Sequence, residues 1–272
     1  LNGINFDKAQ LQDSTFVGSE IDVGRSWNEK TCFEAANVQG TKFEGTTFNE
    51  PIFKKATFDK NTSFDSDQSV SGGDFQNCDM NDVELNGIIA RGCNFEGSNL
   101  SDGKFKSAVL ENSTFSAVNG TGALFQNANM ENVDMSGSNL KSANFTNAEL
   151  DSINFSDVKV DYNTDFGEKS IYETKSQSVT SFEKENKRNL KAIWVYRALE
   201  RLHRQNALTE LASEFYIREK DLRRRQHRKE IRQDIDKNLL NIQEQGECTY
   251  RYRFRIFRNY FKSELSRLSI RY

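Results

Sequence analysis

"LKSANFTNAELDSINF", residues 140–155, sets Leu140, Phe145, Leu150 and Phe155 at intervals of five. Ala143, Ala148 and Ile153 stand two places before the last three. An α-helix repeats its faces every 3.6 residues and a strand every two, so neither accounts for this spacing. A fold that turns a corner every five residues does. Each straight side then sends two side chains inward, a large one at its centre and a smaller one two places earlier.

Working outward, the register holds without gain or loss from Val70 to Val160. Its centres include Phe75, Met80, Leu85, Ala90, Phe95, Leu100, Phe105, Leu110, Phe115, Gly120, Phe125, Met130 and Met135 before the quoted stretch. Earlier runs carry Phe6, Leu11, Phe16 and Ile21, then Phe33, Val38, Phe43, Phe48, Phe53 and Phe58. Self-similarity of this kind is the signature of a solenoid. Asn or Asp commonly precedes the centre, as in Asn94, Asn99, Asp134 and Asn144. Asn, Asp, Ser and Gly suit corners because they tolerate unusual torsions and bond local backbone. The single proline, Pro51, fits a fold that needs nearly every N–H for pairing between coils.

This pattern resembles the pentapeptide-repeat family over about residues 4–166. The resemblance implies a mainly β fold, a right-handed quadrilateral β-helix, followed here by an α-helical C-terminal region. Centres 20 apart sort by type. Phe75, Phe95, Phe115 and Phe155 share one face, and Phe105, Phe125 and Phe145 the opposite one; Leu100, Leu140 and Leu110, Leu150 fall on the other two. These eleven residues are the expected β-helix core. A four-sided coil explains the columns, and a two-sided one fits them equally.

Three departures interrupt the register. Residues 24–32 (GRSWNEKTC) and 61–70 (NTSFDSDQSV) read as insertions, the latter slipping the register on each side of Phe64. Projecting loops are where solenoids of this family place recognition, and corner insertions are as often merely tolerated. Gly120 leaves one centre empty, which predicts a small void or a bulge.

The domain reading is a β-helix over 1–168, a polar linker over 169–182 and a helical region over 183–272. Leu190, Ile193, Trp194, Leu199 and Leu202 fit one helix face, Asn206-Ala207 makes a turn, and Leu208, Leu211, Ala212 and Phe215 begin a second helix that runs toward Gly246. Residues 196–219 are similar to a tetratricopeptide-type hairpin, though Glu200 stands where that pattern has a small residue. The hairpin is expected to cover the open end of the β-helix. RRRQHRK (223–229) reads as a solvated basic face. The ending places Tyr250, Phe254, Phe257, Phe261, Leu265 and Leu268 on one helical stripe, with alternation over 250–257 also compatible with a strand. Arg251, Phe254, Arg255, Phe257, Arg258, Phe261 and Lys262 are its candidate contacts with a partner groove or an anionic membrane surface.

Composition narrows the function. The chain of 272 residues has a net charge of −3 and a mean hydropathy of −0.76. It reads as soluble, without a signal peptide, and its longest apolar run (192–196) is far short of the ~18 residues needed to span a bilayer. Residues 1–168 carry 12 Lys/Arg against 26 Asp/Glu, whereas 169–272 carry 25 against 14. Cys32, Cys78, Cys93 and Cys248 lack metal-ligand spacing, and His203 and His227 read as surface residues. No nucleophile motif, phosphate loop or cofactor site is present, so the chain is read as a non-enzyme needing no cofactor or metal.

The expected role is a protein–protein interaction scaffold or sensor. The helical combination looks like a group of prokaryotic proteins in which channel-like membrane segments follow, which would place this chain in the cytoplasm at the inner face of a membrane. The alternative from the family is a DNA mimic that binds gyrase or another topoisomerase. Eight coils at ~4.8 Å make a rod of roughly 38 Å, and duplex DNA of that length carries about 22 charges; the rod's −14 is of the same order but smaller. Direct nucleic-acid binding is not expected, and the first coil, Ile4–Ile21, offers an edge for end-to-end dimerisation.

Overall fold

The computed structural model describes residues 5–21, 32–176 and 182–244. The chain divides into two compact units, Leu1–Glu219 and Lys220–Tyr272.

The first unit is built on a solenoid of parallel coils. Asp74, Asp79, Glu84 and Ile89 bridge upward to Asn94, Asn99, Lys104 and Val109. Four bridges in twenty residues make the coil four-sided, which removes the two-sided alternative. Each bridge is a pair of backbone bonds, such as Phe75 N–H to Asn94 O at 2.7 Å and Asn94 N–H to Gly73 O at 3.0 Å. Among the described residues only β1 (Glu20–Ile21) and β2 (Thr47–Phe48) extend to two consecutive residues, paired in parallel. The strand content is therefore modest although the architecture is β.

Corners follow from the same arithmetic. The centre's carbonyl accepts the N–H three residues on, as in Ser98 N–H to Phe95 O at 3.1 Å. The residue two places after the centre takes φ near +60°, as at Asp82, Asp102, Asn112, Asn127 and Asn147. At Gly97 the coil below adds a second constraint, since a Cβ would stand 2.5 Å from Asn77 Oδ1.

The core is two columns of stacked phenylalanines. Phe33, Phe53, Phe75, Phe95 and Phe115 lie 4.6–5.3 Å apart on one face. Phe105, Phe125, Phe145 and Phe166 lie 5.1–5.3 Å apart on the opposite face. The columns meet edge-on, as Phe105 meets Phe115 at 6.2 Å and 82°. All eleven core residues named from the repeat are buried, from 0% exposure at Phe95 to 7% at Phe155. Gly120 leaves neither void nor bulge: Leu140 Cδ2 would lie 2.9 Å from a Cβ there, and Gly120 N–H still bonds Asn139 O at 2.8 Å.

The insertion at 61–70 does not project. Ile52 bridges Asp74, 22 residues on rather than 20, so two extra residues are absorbed within one coil. Inward-turned polar side chains take them up. Thr62 donates to Val38 O at 2.9 Å, and Gln68 donates to Phe43 O at 2.9 Å and Thr46 O at 2.8 Å. Phe64 stacks on Phe43 at 5.1 Å. The insertion at 24–32 lies, apart from Cys32, outside the described residues.

Among the described residues three helices follow: α1 (Ile171–Ser176), α2 (Phe182–Gln205) and α3 (Thr209–Glu244). The span read as a linker thus contains α1, because Tyr172 and Glu173 are buried at 5% and 7% exposure. The first compact unit does not stop at residue 168 but runs through α2 into α3. α2 has Glu183 and Glu185 in its first turn and Arg204 in its last, each sign opposing the adjacent end of the helix dipole. Ala207, at φ 59°, makes the turn to α3.

In the second unit, Leu222 is buried and Arg223, Arg224, Arg225 and Arg228 are exposed. Arg224 pairs with Asp221 at 3.4 Å, and Gln226 donates to Glu230 at 3.2 Å.

Candidate functional site

A β-helix ends in unpaired backbone and an open apolar floor, and here the helices supply what a further coil would. Asn206 accepts from Val160 N–H at 3.0 Å and donates to Val158 O at 2.8 Å. Its amide therefore stands in for a peptide group of the next strand. Ser170 N–H donates to the Tyr196 hydroxyl at 3.0 Å, which in turn donates to Glu173 at 2.7 Å. Phe166, the last ring of its column, packs against His203 at 5.5 Å, and His203 against Phe215 at 5.0 Å.

One wall of the rod meets the helices through charge. Glu111, Glu131 and Asp151 follow at intervals of 20, so each coil adds a carboxylate to a single column. Arg91 takes Glu111 at 2.8 Å. Lys191 of α2 is bonded to Glu131 and lies 3.0 Å from Asp151. The Tyr172 hydroxyl donates to Glu131 at 2.9 Å and accepts from Asp151 N–H at 3.2 Å. Burial disfavours the Lys191 charge, but its bonds to Glu131 and Asp151 outweigh that and raise its pKa. Burial, then the bond to Glu131, raises that of Tyr172.

Among the described residues a second wall makes no such charge contact with the helices. Asp74, Glu96, Asp134 and Asp157 lie on the outer surface of the Phe75–Phe155 side, whose positions from 73 to 157 include no Lys or Arg. A third wall carries an uncharged ladder: Asn119 Nδ2 donates to Asn99 Oδ1 at 3.1 Å and to Ser101 at 2.7 Å, and Asn139 Nδ2 to Thr121 at 2.9 Å.

The thiols belong to the core. Cys78 donates to Phe53 O at 2.9 Å and Cys93 to Val70 O at 3.1 Å, as Ser98 does to Phe75 O at 2.6 Å. Burial pushes both thiols up to about 12. His203 corrects its reading as a surface residue. It is 1% exposed, with Nδ1 2.7 Å from Leu199 O, because its helix face is the one seated on Phe166. Burial holds its pKa below the ordinary value, more than the Leu199 carbonyl raises it.

The seven candidate contacts between Arg251 and Lys262 lie outside the described residues. Repeat reasoning missed Tyr172, Lys191, His203 and Asn206. The interval of 20 linking Glu111, Glu131 and Asp151 was readable in the sequence; which cation of the helical region complements it was not.

A family model described as a pentapeptide repeat region matches residues 88–175. No curated protein matches the sequence. Among solved structures, a pentapeptide-repeat protein of the Arabidopsis thaliana thylakoid lumen is 26% identical, with a TM-score of 0.29, over 34% of this chain and 63% of its own. This chain thus spans less than two thirds of that relative's length. HetL of Nostoc sp. strain PCC 7120, involved in heterocyst differentiation regulation, is 15% identical, with a TM-score of 0.27, over 61% of this chain and 88% of its own. QnrB1, a plasmid-mediated fluoroquinolone resistance protein, is 21% identical, with a TM-score of 0.23, over 60% and 91%. Superpositions this loose carry no argument about function. By the family match and its own coil geometry, the chain carries a pentapeptide-repeat β-helix.

Proposed function

We propose that this chain is a non-catalytic interaction scaffold or sensor domain, the cytoplasmic part of a larger membrane-linked protein. The observation that supports it best is the joint between rod and helices. Asn206, Tyr172 and Lys191 spend the last coil's edge and one carboxylate column on the chain's own hairpin. The result is a preformed module with polar walls left for partners, as repeat proteins use them. Among the described residues no His, Cys, Asp and Glu group suits a metal ion, and no helix is long and apolar enough to cross a membrane.

The second reading, a gyrase-binding DNA mimic, draws on the wall of Asp74, Glu96, Asp134 and Asp157. Against it, Arg91 and Lys191 already compensate two of the three charges in the Glu111 column. Two assays separate the readings. Inhibition of gyrase supercoiling by the purified chain, lost in E96K/D134K, would favour the mimic. Proximity labelling in cells that enriches one protein partner, with supercoiling untouched, would favour the scaffold. Sedimentation with anionic vesicles, lost on deleting residues 249–272, tests the membrane link; no binding would remove it. Size-exclusion mass measurement tests the homodimer.

A further inference from the structure

We infer that His203 makes the helical hairpin an acid-sensitive cap, seated on the last coil when the imidazole is neutral and released when it is charged. The inference rests on where the ring sits. His203 lies at the joint itself, buried between Phe166 of the rod and Phe215 of α3, while three residues on Asn206 closes the strand at Val160.

The surroundings offer a proton no partner. On α2, Glu200 and Arg204 pair with each other at 2.5 Å. On α3, Arg218 lies over the Phe215 ring at 5.1 Å and pairs with Glu214 at 3.4 Å. On the rod, Asp165 is engaged by Gly167 N–H at 2.7 Å and Thr146 at 3.0 Å. On α1, Glu173 holds the Tyr196 hydroxyl. Among the described residues no carboxylate lies within ion-pair distance of the His203 ring. Among the described residues the ring's one hydrogen-bond partner is Leu199 O on the same helix, which remains available whether or not the hairpin is seated.

The direction follows from linkage. An unseated histidine protonates near ~6.5, whereas burial keeps the seated ring neutral to lower pH. Seating is therefore at full strength above that value and weakens as pH falls below it, by up to about tenfold per pH unit for one proton. Release bares Val160 N–H and Val158 O, groups fit to pair with another strand.

Hydrogen exchange on the full chain tests this, with rates normalised to the intrinsic rate at each pH. The amides to follow are Val160 and Ser170, whose acceptors are Asn206 and Tyr196. Leu110 and Phe115, paired within the rod, are the control. Between about pH 7.5 and pH 5, protection at Val160 and Ser170 should fall by up to about tenfold per unit below ~6.5, with the control unchanged and with no such fall in H203F. Constant protection in the wild type, or an equal fall in H203F, would overturn the inference. Should H203F fail to seat its hairpin, the wild type still decides. Proton NMR of the wild type should show the His203 imidazole, the more protected of the two histidines' rings, titrating well below the ordinary value of ~6.5. A His203 midpoint at that ordinary value would overturn it.

Discussion

Asn206 and Val160 are 46 residues apart, yet the side-chain oxygen of one accepts the backbone N–H of the other at 3.0 Å. This bond and its companion to Val158 O convert a strand edge into a closed end. Replacing Asn206 by Ala leaves a donor and an acceptor without partners, at a cost of about 1–3 kcal/mol. Denaturant unfolding should show that loss, and Val160 should lose exchange protection. N206D keeps the acceptor and should protect Val160 better than N206A does.

Lys191 bridges two carboxylates that succeed each other in one column. Its ammonium and the Glu131 carboxylate are each about one-quarter exposed, at 25% and 26%, so the pair is neither a free surface pair nor fully buried. K191M should destabilise the chain by about 1–3 kcal/mol, because it leaves two adjacent partly buried charges uncompensated. K191M/E131Q should recover part of that loss in a double-mutant cycle.

The phenylalanine columns set the largest single effects. Phe115 is fully buried, stacks on Phe95 in its own column and meets Phe105 and Phe125 edge-on across the core. F115A should cost about 3–5 kcal/mol through lost contacts and a cavity. G120A should cost about 1–3 kcal/mol for the opposite reason, since its methyl would press on Leu140.

Thiol reactivity should follow burial. With Cys32 and Cys248 replaced by Ser, Cys78 and Cys93 should resist thiol reagents in the native state and react on unfolding. Their pKa near 12 and their bonds to Phe53 O and Val70 O leave almost no thiolate at neutral pH.

Two corner aspartates stabilise the rod against acid. Burial opposes their charge, but Asp59, held by Gly40 N–H and Thr62, and Asp161, held by Ser142 N–H and Thr164, both end with lowered pKa values. Each contribution is present above the ordinary carboxylate value of ~3.8 and is lost as pH falls through the lowered one. D59N/D161N should therefore unfold at lower denaturant than the wild type at neutral pH, and the difference should vanish in strong acid.

The periodic part of this molecule was legible because its core is periodic. Phe95 and Phe115 meet for the same reason that every residue meets the one 20 places on, so a register read from the chain names the contact. Gly120 shows where that logic stops. The repeat marks an empty centre, while the branch of Leu140 that fills it depends on local packing. Residues 61–70 carried the right count of extra residues, but nothing in the count says that Thr62 and Gln68 turn inward. The joint was the least legible part. Tyr172 sits in a polar stretch, Asn206 has the composition of an ordinary turn, and His203 stands between Arg201 and Arg204 in a charged segment. Their partners lie on the rod, or on another helix, at separations that no period predicts.

Limited proteolysis of the full chain, followed by size exclusion and mass spectrometry, tests the central claim most directly, that rod and hairpin form one compact unit. The account predicts a resistant body holding the coils together with α2 and the start of α3, its fragments co-eluting even after a cut within residues 177–181. A stable rod ending near residue 168, released free of the helical fragment, would contradict it.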